Sequence, residues 1–159
     1  MIKFLLFFLI SLNSFALQPD FTYKTWNVYR TMVGDKVVCY TMSVPIEQKG
    51  NYKRRGEPYF MVIRPRNSEF PEIVVSGGAL NDEKKEGDIQ ILKRRFPLLP
   101  QDERNLTYDR NDDVEIVKQM NIGAKAYVKS FFDNGYSAID TYSLIGFTQA
   151  YDKMLELCR

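Results

Sequence analysis

Apolar and polar residues alternate along this chain more often than they recur at helical spacing, and the pattern predicts a mainly β protein. Residues 25–33 read as a strand carrying Trp26, Val28 and Tyr29. Gly34-Asp35 is a tight turn, and residues 36–44 return as the partner strand. In that strand Val37, Cys39 and Thr41 share one face and Val38, Tyr40 and Met42 the other. Pro45 ends it, and the polar stretch 47–55 predicts a surface loop. In RRGEPYFMVIRPR, residues 54–66, the run 59–63 is continuously apolar, as suits a central strand buried on both faces. Arg54, Arg55 and Glu57 stand at one end of it, Arg64 and Arg66 at the other. A five-residue strand holds those ends about 17 Å apart, too far to grip one small anion. Solvated strand ends, with an Arg–Glu hydrogen bond across the turn, are the expectation there.

Residues 73–75 predict a further strand, closed by Gly77-Gly78, and 81–87 a charged turn. Residues 88–93 alternate, with Ile89 and Ile91 on one face, and 96–99 form a short apolar segment between prolines. Stretch 101–113 is the most polar of the chain and predicts a loop with one short strand at 106–108. A helix follows, capped by Asn111 or Asp112, with Asp113 and Glu115 in its first turn. Val114, Val117 and Met120 face the core, Ile116 lies beside them, and Gly123 ends the helix. Residues 125–132 and 136–145 are strands joined by the hairpin turn Asp133-Asn134-Gly135. After Gly146, residues Phe147, Ala150, Tyr151, Met154 and Cys158 form one helical stripe. A run of strands with two short helices predicts an antiparallel β-sandwich.

Composition narrows the function. The chain has 159 residues, 45% of them hydrophobic, which fits one folded domain. A net charge of +2 argues against a nucleic-acid partner, which calls for clustered excess Lys and Arg. Histidine is absent, which removes Ser-His-Asp and Cys-His catalysis and any His-ligated metal. Met1-Ile2-Lys3, the apolar run 4–12 and Ser14-Phe15-Ala16 together read as a secretory signal over 1–16, cleaved after Ala16. The run is too short to span a bilayer, which takes roughly 20 residues, so no transmembrane segment is expected in a mature chain 17–159. In an exported chain the two cysteines, Cys39 and Cys158, favour a disulfide, with two buried free thiols as the alternative. Such a bridge would staple the C-terminal helix onto an early strand. Asp109, Asp112 and Asp113 lack the spacing and glycine of a calcium loop, so no metal or cofactor is expected.

The order of landmarks resembles the invasion-associated locus B family of exported alphaproteobacterial proteins. The residues that carry it are Trp26, Cys39-Tyr40, Pro45, RRGEPYFMVIRPR, EIVVSGG at 72–78, residues 116–120, DTYSLIGFTQA at 140–150, and Cys158. R-G-E-P-Y and D-T-Y-S-L-x-G-F are the most specific pieces. Gly78-Ala79-Leu80, Tyr108 and the charged segment 82–110 depart from the family pattern. The resemblance implies a periplasmic or envelope-associated protein, or a released one, and in some members a contribution to host-cell invasion. It brings no catalytic residues with it.

Three classes of function follow. The first is a non-enzymatic interaction module whose partner is a protein of the bacterial envelope or the host-cell surface, with no small-molecule substrate. Its contact surface is expected in the loops 47–57 and 81–113, with Arg54, Arg55, Glu57, Lys84, Lys85, Arg94 and Arg95 as contact residues. The second is an envelope assembly or maintenance factor, chaperone-like or an accessory subunit. The third is a glycan hydrolase drawing on two of Glu57, Glu115 and Asp140, which needs the two carboxylates roughly 5–9.5 Å apart.

Overall fold

The computed structural model describes residues 18–65 and 68–158. The expected leader over 1–16, its cleavage point at Ala16, and Arg66 lie outside those residues. The strands are β1 Phe21–Tyr23, β2 Trp26–Val33, β3 Lys36–Ser43, β4 Glu47–Gly50, β5 Tyr59–Pro65, β6 Glu72–Ser76, β7 Gly87–Ile91, β8 Arg94–Gln101, β9 Arg104–Leu106, β10 Lys125–Phe131 and β11 Ser137–Ser143. The helices are α1 Arg110–Ile122 and α2 Phe147–Leu157. All strand pairs are antiparallel, in the order β1-β2-β3-β5-β6-β9-β8-β7-β10-β11-β4.

This single ladder folds back on itself at β8. Residues Arg94 to Leu98 pair with β7, whereas Leu99 to Gln101 pair with β9. Each stretch of β8 therefore has a neighbour on one side only, which is where proline is tolerated in a sheet. Pro97 and Pro100 stand one in each stretch. The first half of the sheet holds β1, β2, β3, β5, β6 and β9; the second holds β7, β10, β11 and β4. Inward side chains from both make one core, including Trp26, Phe60, Val62, Ile73, Ile89, Leu98, Val128 and Tyr142. Across it Phe60 and Tyr142 meet edge to face with centroids 5.6 Å apart, and the Trp26 indole donates to the Ser143 carbonyl at 2.9 Å. The architecture is the expected sandwich.

Helix α2 lies against β1, β2, β3 and β5 on the inward side, with Phe147 packed on Trp26 at 4.9 Å between centroids. Its expected stripe is observed: Phe147, Ala150 and Met154 are buried, and Tyr151 and Cys158 pack against the core. The cysteines are bonded, Cys39 in β3 to Cys158 at the end of α2. Gly146, at φ +93°, starts this helix where a side chain would run into the Tyr23 carbonyl.

Several sequence expectations are corrected. The lead-in before β2 contains β1, and the expected loop 47–55 begins with β4, a short charged edge strand. The run 59–63 is central, but only Phe60 and Val62 are buried; Tyr59, Met61 and Ile63 face outward and half-exposed. Helix α1 begins earlier than expected, because Asp109 caps it by accepting from the Asn111 and Asp112 amides at 2.7 and 3.1 Å. Its buried stripe is Asp113, Ile116, Val117 and Met120, which leaves Val114 half-exposed. Asp113 earns that place through its bonds, since its Oδ1 accepts from the Ile73 amide at 2.9 Å and the Thr107 hydroxyl at 2.7 Å. The short strand expected at 106–108 is β9, ending at Leu106.

Candidate functional site

The two most specific sequence motifs meet in space. Arg55 of the R-G-E-P-Y stretch and Asp140 of the D-T-Y-S stretch form an ion pair through both carboxylate oxygens, with Nη1 to Oδ2 at 2.7 Å. The side chains are 2% and 1% exposed. Arg55 also donates to the Gly77 carbonyl at 2.8 Å and to Gln48 Oε1 at 2.8 Å, and its guanidinium stacks over Tyr52 at 4.3 Å. Burial works against its charge, but Asp140 and Tyr52 outweigh that, so the pKa lies above the usual arginine value. One side chain thereby ties the 51–57 segment to β11, β4 and the end of β6. The expected Arg–Glu hydrogen bond across the turn is replaced by this Arg–Asp pair. Arg55, counted as a contact residue from sequence, is turned inward.

That anchor positions a groove. It is open, of about 700 Å³, and lined by Gly56, Glu57, Tyr59, Ser76, Gly78, Leu80 and the β8–β9 turn from Asp102 to Arg104. The Gly56 amide donates to the Gly78 carbonyl at 2.6 Å, closing one end. Gly78 sits at φ +76°, and a Cβ there would collide with the Gly56 carbonyl. The opposite wall is held from inside by a buried amide pair. Asn81 Nδ2 donates to the Asp102 and Arg104 carbonyls at 2.8 and 2.9 Å, and Asn105 Nδ2 donates to Asn81 Oδ1 at 3.1 Å. Glu57, Asp102, Glu103 and Arg104 are exposed on the rim, and none of the four is ion-paired among the described residues. Burial raises the Tyr59 pKa, against the opposing field of Arg104.

The other expected contact residues are scattered. Arg54 is exposed beside the groove. Lys84 and Lys85 lie in the turn before β7, where Lys85 pairs with Asp82 at 3.3 Å. Arg94 and Arg95 stand in β8 opposite Ile91 and Gln90, at the far end of β7, about 14 Å away by strand rise. Successive strand residues point oppositely, so Arg94 reaches Glu115 on α1 at 2.7 Å while Arg95 reaches Asp88 at 3.3 Å on the outer face. The three carboxylates considered for hydrolysis are also apart in role and place. Glu57 lines the groove, Glu115 pairs with Arg94 and Lys118 on α1, and Asp140 is the buried partner of Arg55. The pairing of Asn81 with Asn105 leaves no mark in the sequence, because a polar residue in a polar stretch gives no sign of burial.

No family model and no curated protein matches the sequence. A solved structure does: the crystal structure of invasion associated protein B from Bartonella henselae is similar with a TM-score of 0.59 and 17% identity, over 86% of this chain and 94% of that one. The two chains share a fold. The likeness agrees with the resemblance carried by the motifs above, and the buried Arg55–Asp140 contact shows what two of those motifs do physically.

Proposed function

We propose that this chain is an exported, non-enzymatic interaction protein of the bacterial envelope or periplasm that contributes to host-cell association. A signal over residues 1–16, removed after Ala16, would deliver it to an oxidising compartment, where the Cys39–Cys158 bridge persists. The observation that carries this reading is the groove between the Gly56-Glu57 turn and the Asp102–Arg104 turn. Its walls are pinned by the buried Arg55–Asp140 and Asn81–Asn105 contacts, while its rim charges are left unpaired. Such a surface is preorganised for a protein partner. The likeness to an invasion associated protein supports the host-facing role.

A photo-cross-linker replacing Glu57 tests it. The oxidised protein is offered separately to host-cell membranes and to bacterial envelope extract, and adducts are identified by mass spectrometry. A saturable adduct from host membranes, lost when Asp102 and Glu103 are both changed to alanine, is the expected result. Adducts from the envelope alone would replace host association with a role in envelope assembly or maintenance. Neutral replacement of Lys84, Lys85, Arg94 and Arg95 would separate their contribution from that of the groove.

A further inference from the structure

One rim of the second half carries aliphatic side chains that the core does not claim. In sheet order, Leu92 lies in the turn after β7, Ile122 ends α1 just before β10, Ile145 follows β11, and Ile46 precedes β4. All four are between 52% and 70% exposed. The ladder brings them to one rim. Ile91 pairs with Ala126, and Lys125 with Ser143. The Leu144 amide donates to the Ala124 carbonyl at 3.0 Å, and the Ile46 amide to the Thr141 carbonyl at 2.8 Å. Three strand spacings of about 4.8 Å separate Leu92 from Ile46 by roughly 14 Å across the sheet. Exposed aliphatics scattered singly are ordinary, but four gathered on one rim are not. Leu92 is also held in an unfavourable conformation. It and Lys93 form a two-residue turn between the paired Ile91 and Arg94, and its φ is +54°. Glycine and asparagine enter that left-handed region readily, and a bulky side chain does not. A leucine there gains neither conformational ease nor burial, which leaves its exposed apolar tip to account for it.

Lysines stand among these tips. Lys93 follows Leu92, and Lys125 opens β10. Lys24 lies in the β1–β2 turn, where its Cβ would be 3.2 Å from one placed on Gly146. None of the three is ion-paired among the described residues. The carboxylates on the adjoining segments are already engaged. Glu47, next to Ile46, pairs with Lys49 at 2.8 Å, and Glu115, two turns back along α1 from Ile122, pairs with Arg94 at 2.7 Å. Protruding aliphatics amid free positive charge match a bilayer with anionic headgroups. The apolar tips enter the acyl boundary while the ammonium groups stay among the phosphates. Protein interfaces instead draw their energy from tryptophan, tyrosine and arginine anchors, with leucine under-represented. The rim is also clear of the groove. Gly77, between the groove residues Ser76 and Gly78, lies against Ser130 and Phe132, roughly 20 Å along β10 from Lys125.

We propose that this rim docks the protein reversibly on an anionic phospholipid surface and leaves the groove open. Sedimentation of the oxidised protein with vesicles tests it, using phosphatidylcholine alone or with about one third phosphatidylglycerol. The expected result is binding to the anionic vesicles only, falling in high salt. Leu92→Asn suits the left-handed turn, and combined with Ile145→Ser it should weaken binding by about tenfold or more. Lys93→Gln with Lys125→Gln should weaken it by about tenfold and reduce its salt dependence, and carries the same test should the aliphatic pair fail to fold. Met32→Ser removes an apolar side chain of comparable exposure near the other end of β2 from Lys24, and should bind as the wild type does. So should Asp102→Ala with Glu103→Ala, which separates the rim from the groove. Absence of binding to the anionic vesicles would overturn the proposal, including the case where a protein ligand takes the rim instead. Equal binding to neutral vesicles would overturn it too, as would undiminished binding by either folded rim variant or its loss in a folded control.

Discussion

The two halves of the sheet bury the same kind of side chain and differ in the mixture they turn outward. Inward, Phe60, Val62 and Val75 of the first half are as fully buried as Ile89, Ile91 and Leu98 of the second. Outward, the first half shows Tyr40, Met42, Met61, Ile63 and Val74. At the same level of the second half stand Arg95, Gln90 and Tyr127, then Asp88, Lys129 and Ile139. Folding requires the inward pattern of both halves. It places no such demand on the outward face of an antiparallel sheet, which is normally polar where it meets water. The outward difference between the halves is therefore not imposed by the core.

The covalent link belongs to the first half alone, and breaking it has the largest expected effect on the comparison. Cys39 and Cys158 are 119 residues apart. The chain-entropy model gives such a loop about 5 kcal/mol. Cys158→Ser should lower the melting temperature strongly and free α2 from the first half before the second half melts, which amide exchange resolved by strand will show. Equal loss of protection in both halves would mean that α2 is not held by the bridge in particular.

Next in size is the contact that joins the halves where the motifs meet. Asp140→Asn leaves the Arg55 charge buried without its partner, at a cost of about 3–5 kcal/mol in urea denaturation. Replacing both, Arg55→Met with Asp140→Leu, should recover much of that loss while loosening the 51–57 segment. A single variant within about 1 kcal/mol of wild type would show that water reaches the pair in solution.

The smallest effect falls on Asp113, which tethers α1 to β6. Burial, set against the Thr107 and Ile73 hydrogen bonds, leaves its pKa above the ordinary aspartate value. The folded state then holds that proton more tightly than the unfolded chain does. Its contribution to stability is present at low pH and is lost as pH rises through the folded pKa. Asp113→Asn keeps an acceptor for the Ile73 amide and should flatten the pH dependence of stability just above the usual carboxylate range. An unchanged profile in titrated thermal melts would assign that dependence elsewhere.

The sheet was legible in the sequence because its inward residues alternate. The strands around Val28, Thr41, Val75 and Val128 are found where the pattern puts them, within a residue or two at their ends. The α2 stripe was legible for the same reason, since spacing alone defines a face, whereas the cysteine pair was legible from an even count in a chain that reads as exported. β8 was obscured because Pro97 and Pro100 argue against a strand, and only its split pairing makes room for them. The start of α1 was obscured by four equivalent capping residues close together, Asp109, Asn111, Asp112 and Asp113. The candidate site was less legible. Arg55 and Asp140 are 85 residues apart, and each taken alone looks like a solvated charge at a strand end. Charge reports burial only through its partner, and a partner at that distance leaves no local pattern.

The span of the bridge also sets an order of events. Under the proposed export, a chain entering an oxidising compartment from its N-terminus would deliver Cys39 long before Cys158. For that interval Cys39 is a lone thiol on a strand whose covering helix has not yet arrived, open to capture by any other disulfide. On that route, correct closure would wait until β10, β11 and α2 have emerged.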